Sequence, residues 1–444
     1  MHNSTRSYLT VTDQFCGAGG SSIGAVAAGA ELRLALNHWQ LAIETHNSNF
    51  PDAAHDCTDI SACDPRRYPS TDILITSPEC TNHSLAKGKR KVMQTDLFGN
   101  SPDPAEERSR ATMWDVPRFT EVHKYNVIVV ENVVDARKWV NWTAWLLAMR
   151  QLGYDHKAVY FNSMFAHPTP QSRDRMYVVF WRKGNRAPNL DIRPAAWCEQ
   201  CSANIEAVQA WKNGRRAGRY IDQYVYACPH CMATVRPYYY CAASAIDWTL
   251  PIERIGDRKK PLKEKTLARI RAGLEKFGRQ AMTVDMAFGS GDRATMLADP
   301  LRTQTTRQTM ALVVPYYSTG TASSTDEPLP TVTTVDRHAL VIPPFLLGYY
   351  TRLSGQRAAI SGVDEPMPTQ STQPRHYLVQ PNGVPDVTSC GFRMLQPHEI
   401  QAAMAFPADY KVKGNKRDQV RQLGNAVTPP AMGILMQRIV ESFN

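Results

Sequence analysis

The chain has 444 residues, 43% hydrophobic and 21% charged, a composition that excludes a disordered chain. Lys and Arg number 51 against 41 Asp and Glu, and the formal charge of +10 suits a polyanionic partner without requiring one. No apolar run approaches the roughly 18–20 residues that span a bilayer, and the polar start from Met1 to Thr10 lacks the apolar centre of a signal peptide. The expectation is therefore a cytoplasmic protein with no membrane partner. Its length exceeds the roughly 250–300 residues that one core serves, which points to two lobes or more.

From Leu9 to about Lys183, short apolar runs alternate with helical patterns. Leu9–Val11, Leu32–Leu36, Ile73–Thr76, Val127–Val130 and Met176–Trp181 read as buried strands, and Ser22–Ala28 and Trp142–Leu152 as helices. Such alternation predicts a mostly parallel sheet wrapped by helices, with ligands at the carboxyl ends of the strands. Three of these ends carry polar groups, and a fourth polar set lies at the start of the last strand. Asp13-Gln-Phe-Cys-Gly-Ala-Gly-Gly follows the first strand and opens a helix, where glycines let a ligand approach the backbone. Ser77-Pro-Glu-Cys80 puts a thiol at a strand end, and Glu131-Asn-Val ends a buried strand on a carboxylate. Gln171-Ser-Arg173-Asp-Arg175 leads into the last strand, where alternation puts Gln171, Arg173 and Arg175 on one face. Between Lys87 and Pro104 the pattern breaks into a basic, Gly/Pro-containing loop with Lys87, Lys89, Arg90 and Lys91.

From Gly184 to Cys390 the composition changes. Cys198-Glu-Gln-Cys201 and Cys228-Pro-His-Cys231 have the spacing of a four-thiolate zinc ribbon, with Lys212, Arg215, Arg216 and Arg219 between them as a phosphate-facing set. Three repeats follow. Asp299-Pro-Leu-Arg-Thr-Gln-Thr-Thr, Glu327-Pro-Leu-Pro-Thr-Val-Thr-Thr and Glu365-Pro-Met-Pro-Thr-Gln-Ser-Thr each precede an apolar triplet, and each unit reads as a β-hairpin. Arg302, Arg307, Arg337 and Arg375 then fall near hairpin tips, placed to meet guanine or phosphate. An amphipathic helix closes the pattern near Ala431–Val440.

Each motif alone has an ordinary structural explanation: a tight turn, a buried thiol, a helix cap, a solvated arginine, incidental cysteines, a Thr-rich sheet. Their order is the specific signal. Asp13-x-Phe-x-Gly-x-Gly-Gly, a strand-end Cys, Glu-Asn-Val, Gln-x-Arg-x-Arg, Arg393-x-Leu…Glu399…Phe406-Pro407 and Gly424-Asn425-x-Val427 occur in one sequence. The chain thereby resembles the DNA cytosine-5 methyltransferase family, over about residues 9–183 and 391–440.

The resemblance implies an enzyme that transfers a methyl group from S-adenosyl-L-methionine to carbon 5 of a flipped-out cytosine in a specific duplex sequence, through a covalent Cys80 adduct. Glu131 would hold the base edge, and Arg173 and Arg175 its oxygen. Phe15, Gly17, Gly19 and Gly20 match the cofactor turn, Trp39 the adenine stack, Asp59 and Ile60 the adenine contact, and Asn425 and Val427 the closing wall. His38 stands where the family has an acidic ribose-binding residue, Glu79 where a proline precedes the nucleophile, and Thr81-Asn82-His83-Ser84 where Gln-x-Phe-Ser follows it.

The expected fold is α/β. A Rossmann-like S-adenosylmethionine-dependent methyltransferase domain (residues 1–185) carries a zinc-ribbon-like insertion (186–250) and a smaller, mostly β target-recognition domain with the repeated hairpins (251–390). A C-terminal segment (391–444) returns to the catalytic domain. The expected cofactors are S-adenosyl-L-methionine and a structural zinc. The expected partners are double-stranded DNA and, in a restriction–modification system, a cognate endonuclease; a solitary or phage-borne protective modification is the other setting. The expected state is a monomer in a bacterial or phage-infected cell. An RNA cytosine-5 methyltransferase and an inactive zinc-ribbon DNA-binding protein are the alternative readings.

Overall fold

The computed structural model describes residues 8–78, 104–277, 282–285, 294–303, 310–315, 345–348, 359–362, 376–378 and 387–444. Cys80, Glu79, the basic loop from Lys87 to Lys91, Arg307, Arg337 and Arg375 lie outside them.

Seven strands form the main sheet: β1 (Thr10–Gln14), β2 (Glu31–Asn37), β3 (Ala54–Cys57), β4 (Ile73–Thr76), β5 (Val127–Asn132), β6 (Tyr154–Asn162) and β7 (Asp174–Arg182). Their spatial order is 3-2-1-4-5-7-6. The first five run parallel, and β7 lies antiparallel between β5 and β6. Every residue of β4 and β5 is buried, as expected of strands covered on both faces. Four helices connect the strands: α1 (Gly20–Ala27), α2 (Gln40–Asn49), α3 (Pro104–His123) and α4 (Trp142–Gln151). Asp72 fixes the entry to the central strands by accepting from the Thr10 backbone N–H at 2.9 Å and its hydroxyl at 2.7 Å.

A second, antiparallel sheet takes its strands from distant parts of the chain, in the order Glu253–Arg254, Cys390–Met394, Met310–Pro315, Met282–Asp285, Ala294–Met296. Helix α5 (Glu264–Phe277) covers it, with Ile270 and Leu274 among Ala294, Ala311, Val313 and Phe392.

This arrangement corrects the reading of the first repeat as a hairpin. Its two strands enter different sheets. Met310–Pro315 is a central strand of the second sheet, whereas Leu301–Arg302 pairs in parallel with Gln171–Ser172. Arg302 is therefore not at a hairpin tip, and its Nε donates to the Thr295 hydroxyl at 3.0 Å. The apolar triplet Ala311-Leu-Val is fully buried, so it pairs where burial is available rather than with its Thr-rich neighbour.

The chain then returns to the first sheet through α6 (Pro397–Ala403), α7 (Lys416–Asn425) and α8 (Pro429–Glu441). Helix α8 starts on Pro429, which suits a first-turn position, and buries Met432, Leu435, Met436 and Ile439. It packs on α1. A Cβ on Gly24 would meet the Gly433 nitrogen and the Pro429 oxygen, each at 2.7 Å, so only glycine permits this approach.

Candidate active site

The glycine turn after β1 owes its shape to three left-handed residues, Phe15 (φ 57°), Gly17 (φ 52°) and Gly19 (φ 86°). Phe15 is the costly one, since its side chain is crowded in that region, and such strain gathers at functional sites. A Cβ on Gly17 would meet only the Phe15 carbonyl, at 3.8 Å, so the turn leaves room for a ligand there. Asp13 anchors the turn from below. Its Oδ2 accepts from the hydroxyls of Ser21 at 2.5 Å and Ser22 at 2.6 Å, in the first turn of α1. Burial still dominates and pushes the Asp13 carboxyl up to about 6.

Because β1, β2 and β3 are adjacent and parallel, the Phe15–Gly20 turn, His38–Trp39 and Asp59–Ile60 lie side by side at one edge. His38 and Asp59 are exposed and Ile60 is buried. Arg118 of α3 holds the last of these segments by donating to the Ile60 carbonyl and to the Cys63 carbonyl at 2.6 Å. Its partner Asp115 accepts from the Ser61 hydroxyl at 2.6 Å. Over the Trp39 ring sits the Arg421 guanidinium, 4.4 Å from the ring centre. None of Arg118, Asp115 and Arg421 was marked by the sequence, because each acts on a residue far away in the chain.

The wall opposite the turn is the segment after α7. Asn425 is exposed and Val427 buried. A Cβ on Gly20 would stand 1.9 Å from the Val427 carbonyl oxygen. The Tyr410 hydroxyl donates to the Ala18 carbonyl at 2.5 Å. Further out, Arg393 and Glu399 form a two-pronged ion pair, both contacts 2.7 Å, which also binds the Asp247 backbone.

At the ends of β5 and β7 the structure brings Glu131 and Arg175 together, with Nε 2.9 Å from Oε1 and both side chains largely buried. Arg175 also donates from its guanidinium to its neighbour's carbonyl, Asp174 O, at 2.8 Å. Arg173 has different partners. Its guanidinium donates to the carbonyls of Gly424 at 3.2 Å and Ala426 at 3.1 Å, tying β7 to the closing wall. Burial, aided by Arg175, pushes it down to about 9. Asn132 Nδ2 reaches the Pro78 carbonyl at 3.4 Å, two residues before Cys80. Among the described residues, the Gln14 amide and the Thr76 and Ser77 hydroxyls, at the ends of β1 and β4, have no hydrogen-bond partner, which leaves buried polar groups that a ligand could satisfy. Glycine turn, aromatic, carboxylate–guanidinium pair and orphaned polar groups together fit a nucleoside-bearing cofactor beside a polar base.

Cys198, Cys201, Cys228 and Cys231 converge, their sulfurs all within 4.8 Å of one another. Separations of 3.5 Å for Cys198–Cys231 and 3.8 Å for Cys201–Cys228 match the roughly 3.8 Å between sulfurs in a tetrahedral zinc–thiolate site. Short strands carry them: Ala195–Cys198 pairs with Ala203–Glu206, and Val208–Trp211 with Tyr224–Ala227. Cys198, Tyr224, Tyr226 and Cys228 belong to the same hydrophobic cluster as Val178 and Phe180 of β7, so this insertion shares its core with the main sheet. Arg219, grouped by sequence with Lys212, Arg215 and Arg216, instead forms an ion pair with Asp135.

A family model described as C-5 cytosine-specific DNA methylase matches residues 9–213 and 295–441. The chain belongs to this family. The Type II methyltransferase M.HgiDI of Herpetosiphon aurantiacus is 27% identical over 188 residues, 41% of this chain and 56% of that protein. M.HgiGI from the same organism, also a Type II methyltransferase, is 35% identical over 87 residues, 18% of this chain and 67% of that protein. The chain thus spans little more than half the length of the first of these relatives. Among solved structures, a DNMT2 mutant from Spodoptera frugiperda aligns over 98% of this chain and all of its own at a TM-score of 0.52 and 14% identity. The Entamoeba histolytica methyltransferase EhMeth aligns over 99% of this chain and all of its own at 0.51 and 12%. These two likenesses speak for the fold. Among the described residues no helix is long and apolar enough to cross a membrane.

Proposed function

We propose that the chain is a DNA cytosine-5 methyltransferase that modifies a cytosine flipped out of a specific duplex sequence. The Glu131–Arg175 pair carries this reading: a buried carboxylate and guanidinium, 2.9 Å apart at adjoining strand ends, can grip two edges of one base. Glu131 takes the ring nitrogen and exocyclic amine, and Arg175 the base oxygen. Held so, the ring is electron-poor at carbon 6, where the Cys80 thiolate adds and forms the sulfur–carbon bond. The added electron density makes carbon 5 nucleophilic. S-adenosylmethionine, when bound, supplies the methyl group as an electrophile. Loss of the carbon 5 proton then expels Cys80 and restores the ring. Phe15, Gly17, Gly19, Gly20, His38, Trp39, Asp59, Ile60, Asn425 and Val427 would line the cofactor site, and Arg173 would act on it by holding the Gly424–Ala426 carbonyls.

Residues 251–390 are proposed as the target-reading part, with Arg307, Arg337 and Arg375 meeting DNA, and Lys87, Lys89 and Arg90 closing on phosphates near the flipped base. Cys198, Cys201, Cys228 and Cys231 would hold a structural zinc. The matched Type II methyltransferases favour a restriction–modification setting, with an endonuclease of the same specificity as partner.

The test is tritium transfer from labelled cofactor to DNA and to RNA, joined to trapping by DNA containing 5-fluorocytosine, in which fluorine blocks the final proton loss. Transfer to DNA with a trapped wild type and an inactive Cys80→Ala variant is expected. Transfer to RNA alone, or full turnover by Cys80→Ala, overturns the reading.

A further inference from the structure

Arg219 and Tyr220, consecutive residues of the cysteine-bearing insertion, each bind a carboxylate that flanks the Glu131–Arg175 pair. The Arg219 guanidinium pairs with Asp135, four residues beyond Glu131. The Tyr220 backbone N–H donates to Asp174 Oδ1 at 2.9 Å, and Asp174 precedes Arg175 and accepts from its guanidinium through the backbone carbonyl. One dipeptide thus grips the turn that follows β5 and the start of β7. The Arg219–Asp135 contact is largely shielded: the Asp135 side chain is 12% exposed and that of Arg219 29%.

The dipeptide is itself held rigidly. Gln223 Oε1 accepts from the Arg219 N–H at 2.7 Å, and the backbone N–H of Gln223 donates to the Arg219 carbonyl at 2.9 Å. Gly218 (φ 153°) leaves the space that this turn needs, since a Cβ there would lie 2.2 Å from Gln223 Cβ. The Tyr220 ring packs edge-on against Phe165, 4.9 Å between centres, and beside Tyr226 at 5.9 Å. Strand Tyr224–Ala227 then runs directly into Cys228. A loop with only a structural task could end on any polar surface. This one ends on the turn that follows β5 and on the residue before Arg175, beside the ladder that pairs Glu131 with Tyr177 and Asn132 with Met176. It also lies in residues 214–294, between the two stretches that match the family.

We propose that Arg219 and Tyr220 form a positioning clamp that steadies the orientation of the Glu131–Arg175 pair, by holding the turn after β5 and the start of β7 where the strand ladder ends. The clamp touches no substrate and acts through Asp135 and Asp174. The inference rests on the methyltransferase reading above and adds to it the source of the site's rigidity.

The test uses the full-length protein and its Arg219→Ala and Arg219→Lys variants. Arg219→Ala should lower kcat and the rate of 5-fluorocytosine trapping about tenfold or more, leaving the cofactor dissociation constant and thermal midpoint near wild type. Arg219→Lys, which keeps the charge on Asp135, should recover part of the rate. Amide exchange gives a readout without substrate: residues 131–135 and 174–176 should exchange faster in Arg219→Ala, and the α1–α8 contact should not change. An active wild type with an Arg219→Ala variant within twofold of it in kcat and trapping overturns the clamp. If the wild type modifies neither DNA nor RNA, the methyltransferase reading fails, and the exchange data alone decide: unchanged exchange at both segments overturns the clamp, faster exchange at both upholds it.

Discussion

Gly20 and Val427 meet with no room for a single further carbon: a Cβ on Gly20 would stand 1.9 Å from the Val427 carbonyl oxygen. The obstacle is backbone, which cannot rotate aside as a side chain can. Gly20→Ala should therefore push the closing wall off the glycine turn, costing about 1–3 kcal/mol of stability and weakening cofactor binding together. Urea unfolding and calorimetric titration of the same preparation would check this. A variant with wild-type midpoint and affinity would show that the wall gives way freely.

The Glu131–Arg175 pair leads to a second expectation. Arg175→Lys keeps the charge but loses the planar fork that can serve Glu131 and a base oxygen at once. Single-turnover rates should fall by about 100-fold or more while cofactor affinity holds. A lysine variant at near wild-type rate would mean that charge alone suffices.

Asp13 gives a pH dependence with a definite sign. Its carboxyl is raised from 3.8 to about 6 in the folded protein, so between these values the native state binds the extra proton. Stability from this group is present below pH 3.8 and is lost as pH rises through 6, a difference of at most about 3 kcal/mol. Asp13→Asn retains an oxygen for the Ser21 and Ser22 hydroxyls and has nothing to titrate. The variant should gain most over wild type above pH 6, and the gain should shrink towards pH 4. Denaturant unfolding at several pH values measures it, and a gap that is constant with pH would refute the assignment.

Zinc analysis of freshly purified, reduced protein should find about one ion per chain, lost on Cys198→Ser. Since the cysteine cluster and β7 share one core, chelation should lower the unfolding midpoint of the main sheet and not of the insertion alone. Protein that carries no metal, or a sheet that melts unchanged after chelation, would contradict this.

Arg421 over Trp39 is a fifth case. Removing an exposed cation from an aromatic face costs about 0.5–1 kcal/mol, so Arg421→Ala should weaken cofactor binding about two- to fivefold and shift the Trp39 emission. Unchanged affinity would place the arginine outside the cofactor's reach.

The parallel sheet was legible because its strands are continuous apolar runs ending on polar residues, as in Ile73–Thr76 and Val127–Asn132. Strand β6 was missed, since Asp155, His156 and Lys157 make its first half look like a loop. Helix α3 was missed because it carries Pro117 and begins in a charged stretch. The site residues Glu131 and Arg175 stood out through local motifs. Arg219 did not, because its partner Asp135 is 84 residues away and nothing near Arg219 records it. The Thr-rich repeats misled for the opposite reason: a local pattern suggested local pairing, whereas burial sent the strands of the first unit to separate sheets.

The bond from Tyr410 to Ala18 joins residues 392 positions apart, and it belongs to the wall that faces the glycine turn. During synthesis the turn emerges 392 residues before the part of the wall that binds it, so the strands β1 to β7 are made long before the pocket can close. Interrupted translation products would carry a sheet without a pocket and stay catalytically silent. The same separation makes the protein a natural candidate for division into two expressed pieces, one holding residues up to β7 and the insertion and the other beginning before Cys390. Neither piece alone would hold both the glycine turn and the wall that faces it, so any activity of the pocket would return only where the two pieces meet.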